Sequence, residues 1–330
     1  MKFSLSFKGL VAGTCAALAA VSASAQADAT YPSSRPIRLV VSQQAGGSTD
    51  SIARLWAEHV GKQLNANVVV ENKPGAGGAI AAQYVLGQPA DGHTLFLAGV
   101  SQMVLNKFVY KPLAYSPEKD FVGVTTLTTV PFVLVAHPGA KFRTYKEFAA
   151  AAKSDPGSLS FASSGNGNST HLVVEMLMKQ TGVKMVHVPF RGEPDGVMAT
   201  VGGTTQVMAP VFSTALPQIR QGKLVPLVLI GEKRSPELPE VPTASEVGLS
   251  GLDNIGWSGI AARTGTAPQV IEKLNAASQV FLKDPAVVRK LQSMQVLPMP
   301  GASGELMRLT VRDTARWQQA IGDLDLNVKQ

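Results

Sequence analysis

The stretch Leu39-Val-Val-Ser-Gln-Gln-Ala-Gly-Gly-Ser-Thr-Asp-Ser-Ile-Ala-Arg-Leu-Trp56 constrains the fold of this chain more than any other. Its apolar start reads as a buried strand. Ile52, Leu55, Trp56, Val60 and Leu64 then recur at helical spacing, which places a helix start between Ser48 and Asp50. Gly46 and Gly47, between the two, permit positive φ and close approach to a ligand. The first N–H groups of such a helix lack internal partners and lie at the positive end of its dipole. A strand tip, glycines and a helix start together form a seat for an anion. The design recurs at Leu159-Ser-Phe-Ala-Ser-Ser-Gly-Asn-Gly-Asn-Ser-Thr-His-Leu-Val-Val174. The two loops are expected to face each other across a cleft and hold one small anion. Two ordinary strand-to-helix turns, each capped by Ser or Thr, are the plainer alternative.

The remaining chain repeats the strand–glycine turn–helix rhythm. Val68–Glu71 and Thr94–Ala98 read as strands, and 79–86 as a helix of small residues. Alternation of this kind means an α/β fold with mainly parallel sheets flanked by helices. Ligands of such sheets sit beyond the carboxyl ends of the strands, where Ser48, Asn72 and Ser101 fall. The segment 121–137 is too long for one ordinary strand, is rich in β-branched residues and contains Pro131. It reads as two strands joined by a crossover between domains. Further strands are expected at 185–189, 206–211, 224–230 and 255–261, with Gly182 closing the second loop's helix and Ser303 capping the last one. A length of 330 residues fits two domains. Residues 26–130 and 255–330 make a discontinuous domain I, 131–254 an inserted domain II, and two hinge strands between them permit closure around a ligand.

Residues 1–25 read as a signal peptide. Lys2 and Lys8 supply charge, 9–21 is apolar, and Ala23-Ser-Ala25 is a small-residue cleavage site, so the mature protein is expected in the periplasm. The single cysteine, Cys15, lies in that segment, leaving a disulfide-free exported chain that relies on its core. No later apolar run has membrane-spanning length. The formal charge of +7 is spread along the chain without a basic block, and aromatics are sparse. This argues against nucleic acid and agrees with acidic small molecules.

Six segments carry a family resemblance: 46–54 (Gly-Gly-Ser-Thr-Asp-Ser-Ile-Ala-Arg), 70–78 (Val-Glu-Asn-Lys-Pro-Gly-Ala-Gly-Gly), 90–95 (Ala-Asp-Gly-His-Thr-Leu), 163–172, 188–192 (Val-Pro-Phe-Arg-Gly) and 239–248. In order and spacing they resemble the tripartite tricarboxylate transporter substrate-binding receptors, the Bug or TctC family, over essentially the whole mature chain. The resemblance implies a periplasmic-binding-protein fold of the type II class. It implies a small carboxylate ligand (amino acid, di- or tricarboxylate, or aromatic acid), membrane permease subunits as partners, a monomer, and no cofactor or metal. It also implies that both loops grip one carboxylate through backbone N–H groups and short hydroxyl side chains. The chain departs from the family at Ser42-Gln-Gln-Ala45, where prolines are usual, and at Phe190-Arg-Gly192, where Tyr-Lys-Gly is usual. Arg grips a second carboxylate in bidentate fashion where Lys acts as a point charge.

The candidate ligand-binding residues are Gln43, Gln44, Gly46, Gly47, Ser48, Thr49, Asp50, Asn72, Ser101, Ser164, Gly165, Gly167, Asn168, Ser169, Thr170, His171, Phe190, Arg191 and Phe212. Several have two readings. Asp50 either satisfies its helix dipole or receives an ammonium group. Ser169 and Thr170 share capping with ligand contact. His171 pairs with Glu175 at i+4 in a structural role. Arg191 binds ligand or bridges to Glu193 or Asp195. Phe190 and Phe212 wall the cleft or pack in the core, and Asn72 ties down the glycine loop or touches ligand. Enzyme signatures are missing: there is no Gly-x-Ser-x-Gly elbow, no Gly-Lys-Ser/Thr loop and no metal spacing of His or Cys. The reading is a receptor that delivers its ligand to a tripartite permease. A sensor feeding a membrane two-component kinase would carry the same sequence, and an exported hydrolase or isomerase would have to use Asp50 and His171.

Overall fold

A computed structural model describes residues 31–231, 233–252 and 256–321. The expected signal peptide and the start of the expected return strand at Ile255 lie outside the described residues. In chain order the main elements are β1 (Ile37–Val41), α1 (Ser48–Leu64), β2 (Val68–Asn72), α2 (Ala79–Leu86), β3 (Thr94–Gly99), α3 (Asn106–Val109), α4 (Pro117–Asp120), β4 (Phe121–Thr129) and β5 (Phe132–Ala136). There follow α5 (Tyr145–Ser154), β6 (Ser160–Ser163), α6 (Ser169–Thr181), β7 (Val186–Pro189), α7 (Glu193–Val201), β8 (Val207–Met208), α8 (Phe212–Arg220) and β9 (Val225–Ile230). The chain ends with β10 (Trp257–Arg263), α9 (Pro268–Lys283), α10 (Pro285–Ser293), β11 (Leu297–Pro298) and α11 (Glu305–Ile321).

The strands form two sheets with helices packed on them. The first has the order β11-β4-β10-β3-β1-β2 and the second β7-β6-β8-β5-β9. Each is mixed rather than mainly parallel. The ladders of β1 with β2 and β3, and of β6 with β7 and β8, are parallel. Those of β10 with β3 and β4, and of β5 with β8 and β9, are antiparallel. The reversal has a simple cause: β4 runs out of the first sheet, β5 runs into the second, and β10 returns to lie beside β4.

The break at Pro131 falls between β4 and β5, as the β-branched run with its internal proline implies. A second passage meets it there, because Val130 N donates to Gly256 O at 2.8 Å. The β10 strand is Trp257–Arg263, and of the expected 206–211 strand only Val207–Met208 forms a ladder, with Val211 making an isolated bridge to Phe132. Gly182 ends α6 at φ +71, as expected. Ser303 does not cap α11; its hydroxyl donates to Glu272.

The amphipathic face of α1 accounts for the first core. Ile52, Trp56 and Val60 are buried with Leu39, Leu97, Leu274 and Phe281. Trp56 places its indole N–H on Ser278 Oγ at 3.1 Å, so a full-sized aromatic is buried without an orphaned donor. The second sheet has its own core around Val133, Val135, Met208, Phe212 and Leu229.

Candidate functional site

A cleft of about 590 Å³ separates the two sheets, and both glycine loops line it. From the first loop come Gln43, Gln44, Gly47, Ser48 and Thr49; from the second, Ser164, Gly165, Asn168 and Ser169. Ser101, Phe190 and Arg191 also line it. The volume lies in the usual range for small-molecule sites. Gly46, Asp50, Asn72, Gly167, Thr170, His171 and Phe212 do not line it, and each has a visible role behind it.

The first loop is held from beneath by Asp50, which is 3 % exposed. Its carboxylate accepts from Gly46 N at 3.0 Å and Asn72 Nδ2 at 3.0 Å, and takes two bonds from Arg54 at 2.9 and 3.0 Å. Burial alone would raise its pKa, but Arg54, Gly46 and Asn72 outweigh it and hold the group below the usual carboxylate range. Asp50 is therefore an ionised anchor, and Asn72, which also donates to Gln43 O at 3.0 Å, ties the loop to β2. Gly46 has φ +85, whereas Gly47 is extended at φ −80 and ψ 173 and stands at the helix N-cap with no side-chain cap. Positive φ is thus needed at Gly46 alone of the pair. The N–H groups of Gly47, Ser48 and Thr49 have no partner among the described residues, and all three residues line the cleft. That is a helix N-terminus open to an anion.

The second loop differs. Its N–H groups are largely committed: Ser164 to Thr170 Oγ1, Gly165 to Ser163 Oγ, Gly167 to His171 Nδ1 and Thr170 to Asn168 Oδ1. Ser169 N reaches Ser101 Oγ from the opposite side at 3.1 Å. Thr170 and His171 are structural supports of the loop, and Phe212 is core. What this loop offers a ligand is hydroxyl and amide side chains rather than bare N–H groups.

Further contacts close the cleft at its edges. Ser213 Oγ donates to Ser48 Oγ at 3.0 Å, and Tyr110 Oη to Asn166 O at 3.3 Å. Gly192 sits so close to Gln44 that an added Cβ would meet its Oε1 at 2.9 Å. Gly167, at φ +70, packs on Val109 in the segment between β3 and β4. Its missing Cβ serves the contact between lobes.

Several lining groups carry no motif of their own. Ser42, at the tip of β1, and Gln43 keep the buried oxygens Oγ and Oε1 without a partner in the protein. Buried polar atoms left unpaired are costly, and both of these belong to residues on the cleft wall. The Gly75–Gly78 turn lines another wall, with Gly77 O accepting from Gln102 Nε2 at 2.9 Å and Asn106 Nδ2 at 3.2 Å. Glu193 lines the cleft at the start of α7. Arg191 makes no bridge to Glu193 or Asp195; it stands exposed at the rim.

Behind the second loop His171 and His187 stack with ring centroids 3.8 Å apart. His187 Nε2 pairs with Ser163 Oγ at 2.6 Å, and His171 Nδ1 accepts the Gly167 N–H at 3.1 Å. Burial, then the neighbouring His171, lowers the His187 pKa to about 3. The folded protein therefore keeps His187 neutral while the unfolded chain takes up a proton near pH 6.5. Stability is fully present above pH 6.5 and is lost as pH falls toward 3, by at most about 2 kcal/mol between pH 6.5 and 5. Urea unfolding at pH 7 and pH 5 will show this loss, and His187→Gln will reduce it.

No cluster of three or more His, Cys, Asp or Glu suits a metal among the described residues, and no described helix is long and apolar enough to cross a membrane. A two-lobed α/β protein with a helix N-terminus and a ring of hydroxyls facing one interlobe cleft is a solute-binding receptor of the periplasmic-binding type. The chain belongs to the tripartite tricarboxylate transporter family receptors, whose sequence pattern matches residues 52–326. It is 35% identical to the UPF0065 protein of the tcbD-tcbE intergenic region of Pseudomonas sp. strain P51, over 97% of this chain and 95% of that one. It is 30% identical to protein BugT of Bordetella pertussis, over 97% and 98%. Among solved structures it is similar to an R. palustris protein with adipate, with a TM-score of 0.84 at 28% identity over 88% of this chain and 97% of the other. MatC from Rhodopseudomonas palustris with bound malate gives a TM-score of 0.79 at 32% identity over 87% and 99%. The family is one of receptors, so the chain is a binding protein and not an enzyme.

Proposed function

We propose that this receptor captures one small carboxylate in the interlobe cleft, closes over it, and delivers it to the membrane permease subunits of a tripartite transporter. One observation carries the reading: the unpartnered N–H groups at the start of α1 and the hydroxyl side chains of the second loop line the same cleft. Malate and adipate in two similar structures support a ligand with two carboxylates. Residues 1–25, read as a signal peptide, support a mature protein that acts in the periplasm as a monomer. In this reading domain I is 26–130 with 255–330 and domain II is 131–254, and the division of the strands between two sheets supports it. The candidate residues on the cleft wall contact ligand directly, and Asp50, Asn72, Gly167, Thr170 and His171 hold those that do.

A thermal-shift panel of amino acids, dicarboxylates, tricarboxylates and aromatic acids tests this. A ligand present at about 100 times its Kd stabilises the folded state by roughly 2.7 kcal/mol. At least one carboxylate is expected to raise Tm by several degrees. A folded protein whose Tm moves with none of them contradicts the reading.

A further inference from the structure

A cleft that receives an anion here carries an acid of its own. Glu193 opens α7, lines the cleft and is half-buried. Its Oε1 accepts from Val211 N at 2.9 Å, and Thr214 hydrogen-bonds the same carboxyl. The Ser213–Ser48 contact sets this turn against the start of α1, and Glu193 lines the same cleft as the first loop's free N–H groups. An ionised Glu193 at this place would repel the carboxylate those groups attract.

We propose that Glu193 acts in the cleft as a neutral carboxylic acid that donates its O–H to the captured carboxylate, so that anion capture takes up one proton from solution. The inference rests on the carboxylate reading above and deepens it: the favoured ligand is an anion without an ammonium group. Two carboxyl groups within hydrogen-bond reach share one proton rather than both staying ionised. An O–H donor to a carboxylate is among the stronger hydrogen bonds. The surroundings favour the neutral form already. Burial pushes the Glu193 pKa up to about 7, and the bonds from Thr214 and Val211 offset this only in part.

Few charges face it. The packed strands β6 and β8 carry no titratable side chain, and α8 has only Arg220 at its far end, paired with Glu237. Its own helix adds exposed Asp195, and the preceding loop adds Arg191. Across the cleft are Tyr110 and, behind the wall, Asp50 held by Arg54. No cation pairs with Glu193 among the described residues.

The test begins without ligand. Carbon-13 NMR of glutamate-labelled protein is expected to show one carboxyl that titrates near neutrality and is missing in Glu193→Gln. A Glu193 that titrates with the ordinary glutamates overturns the proposal. Calorimetry of adipate at pH 7 in phosphate and in Tris then reads the proton. The wild type is expected to take up a substantial fraction of one proton and to lose up to about tenfold in affinity per pH unit above neutrality, while the variant shows neither. Proton release, or no difference between buffers, overturns it. If no carboxylate of the panel binds, the receptor reading falls instead, and the NMR titration alone judges Glu193.

Discussion

Gly167→Val is expected to give a folded protein whose ligand affinity is lowered by roughly 5- to 100-fold. The residue sits at φ +70, and an added Cβ would overlap Val109 Cγ1 and lie 2.8 Å from Cγ2. The backbone strain of a β-branched residue there is present whether the lobes are apart or together. The overlap exists only when they are together, because Val109 belongs to the segment between β3 and β4. Overpacking of this kind costs about 1–3 kcal/mol, and each 1.4 kcal/mol is tenfold in affinity. The variant will therefore lose a few degrees of ligand-free Tm and most of its binding. Adding Val109→Ala to Gly167→Val will restore part of the affinity but none of the lost Tm. Gly47→Ala is the control for folding, since Gly47 lies at φ −80 with nothing nearer its Cβ than Gln44 O at 3.7 Å. Titration calorimetry that finds Gly167→Val binding like the wild type would remove the closed cleft from the account.

The second large effect belongs to Asp50. Replacing it with Ala leaves Gly46 N–H, Asn72 and Arg54 without their common acceptor. Removing one side of a buried, charge-assisted network costs about 2–4 kcal/mol. For a protein of this size that is a Tm lower by roughly 3–6 °C, together with a loosened first loop and weakened binding. The pH dependence has a definite sign. Asp50 is held ionised, so its contribution is present above its unfolded pKa near 4 and fades as pH falls below that value. The gap in Tm between wild type and Asp50→Ala should narrow in acid, which differential scanning calorimetry at pH 7 and pH 3 will show.

Much of the scaffold was legible in the sequence because its causes are local. Helix α2 spans Ala79–Leu86 as its small-residue run implies, Gly182 closes α6, and Pro131 divides the long β-branched segment. Twelve of the candidate ligand residues line the cleft. The rest of the site is not local. The need for glycine at 167 comes from Val109, and the pairing of Ser101 with the start of α6 joins residues 68 positions apart. No periodicity encodes such contacts. The asymmetry of the loops also escaped the pattern, since the sequence does not show that Thr170 and His171 accept the N–H groups of Ser164 and Gly167. Glu193 passed as a bridge partner for Arg191, and only its place on the cleft wall gives it another role. The mixed sheets show the same limit: a strand's residues state its burial, while its direction depends on where the chain must cross.

A crystal structure with adipate or malate at saturating concentration tests the central claim most directly. The account predicts one ligand carboxylate within about 3 Å of the Ser48 or Thr49 N–H and, through the same or its second carboxylate, of a group on residues 164–169 or Arg191. A ligand held by one lobe alone, or seated away from the start of α1, would contradict it.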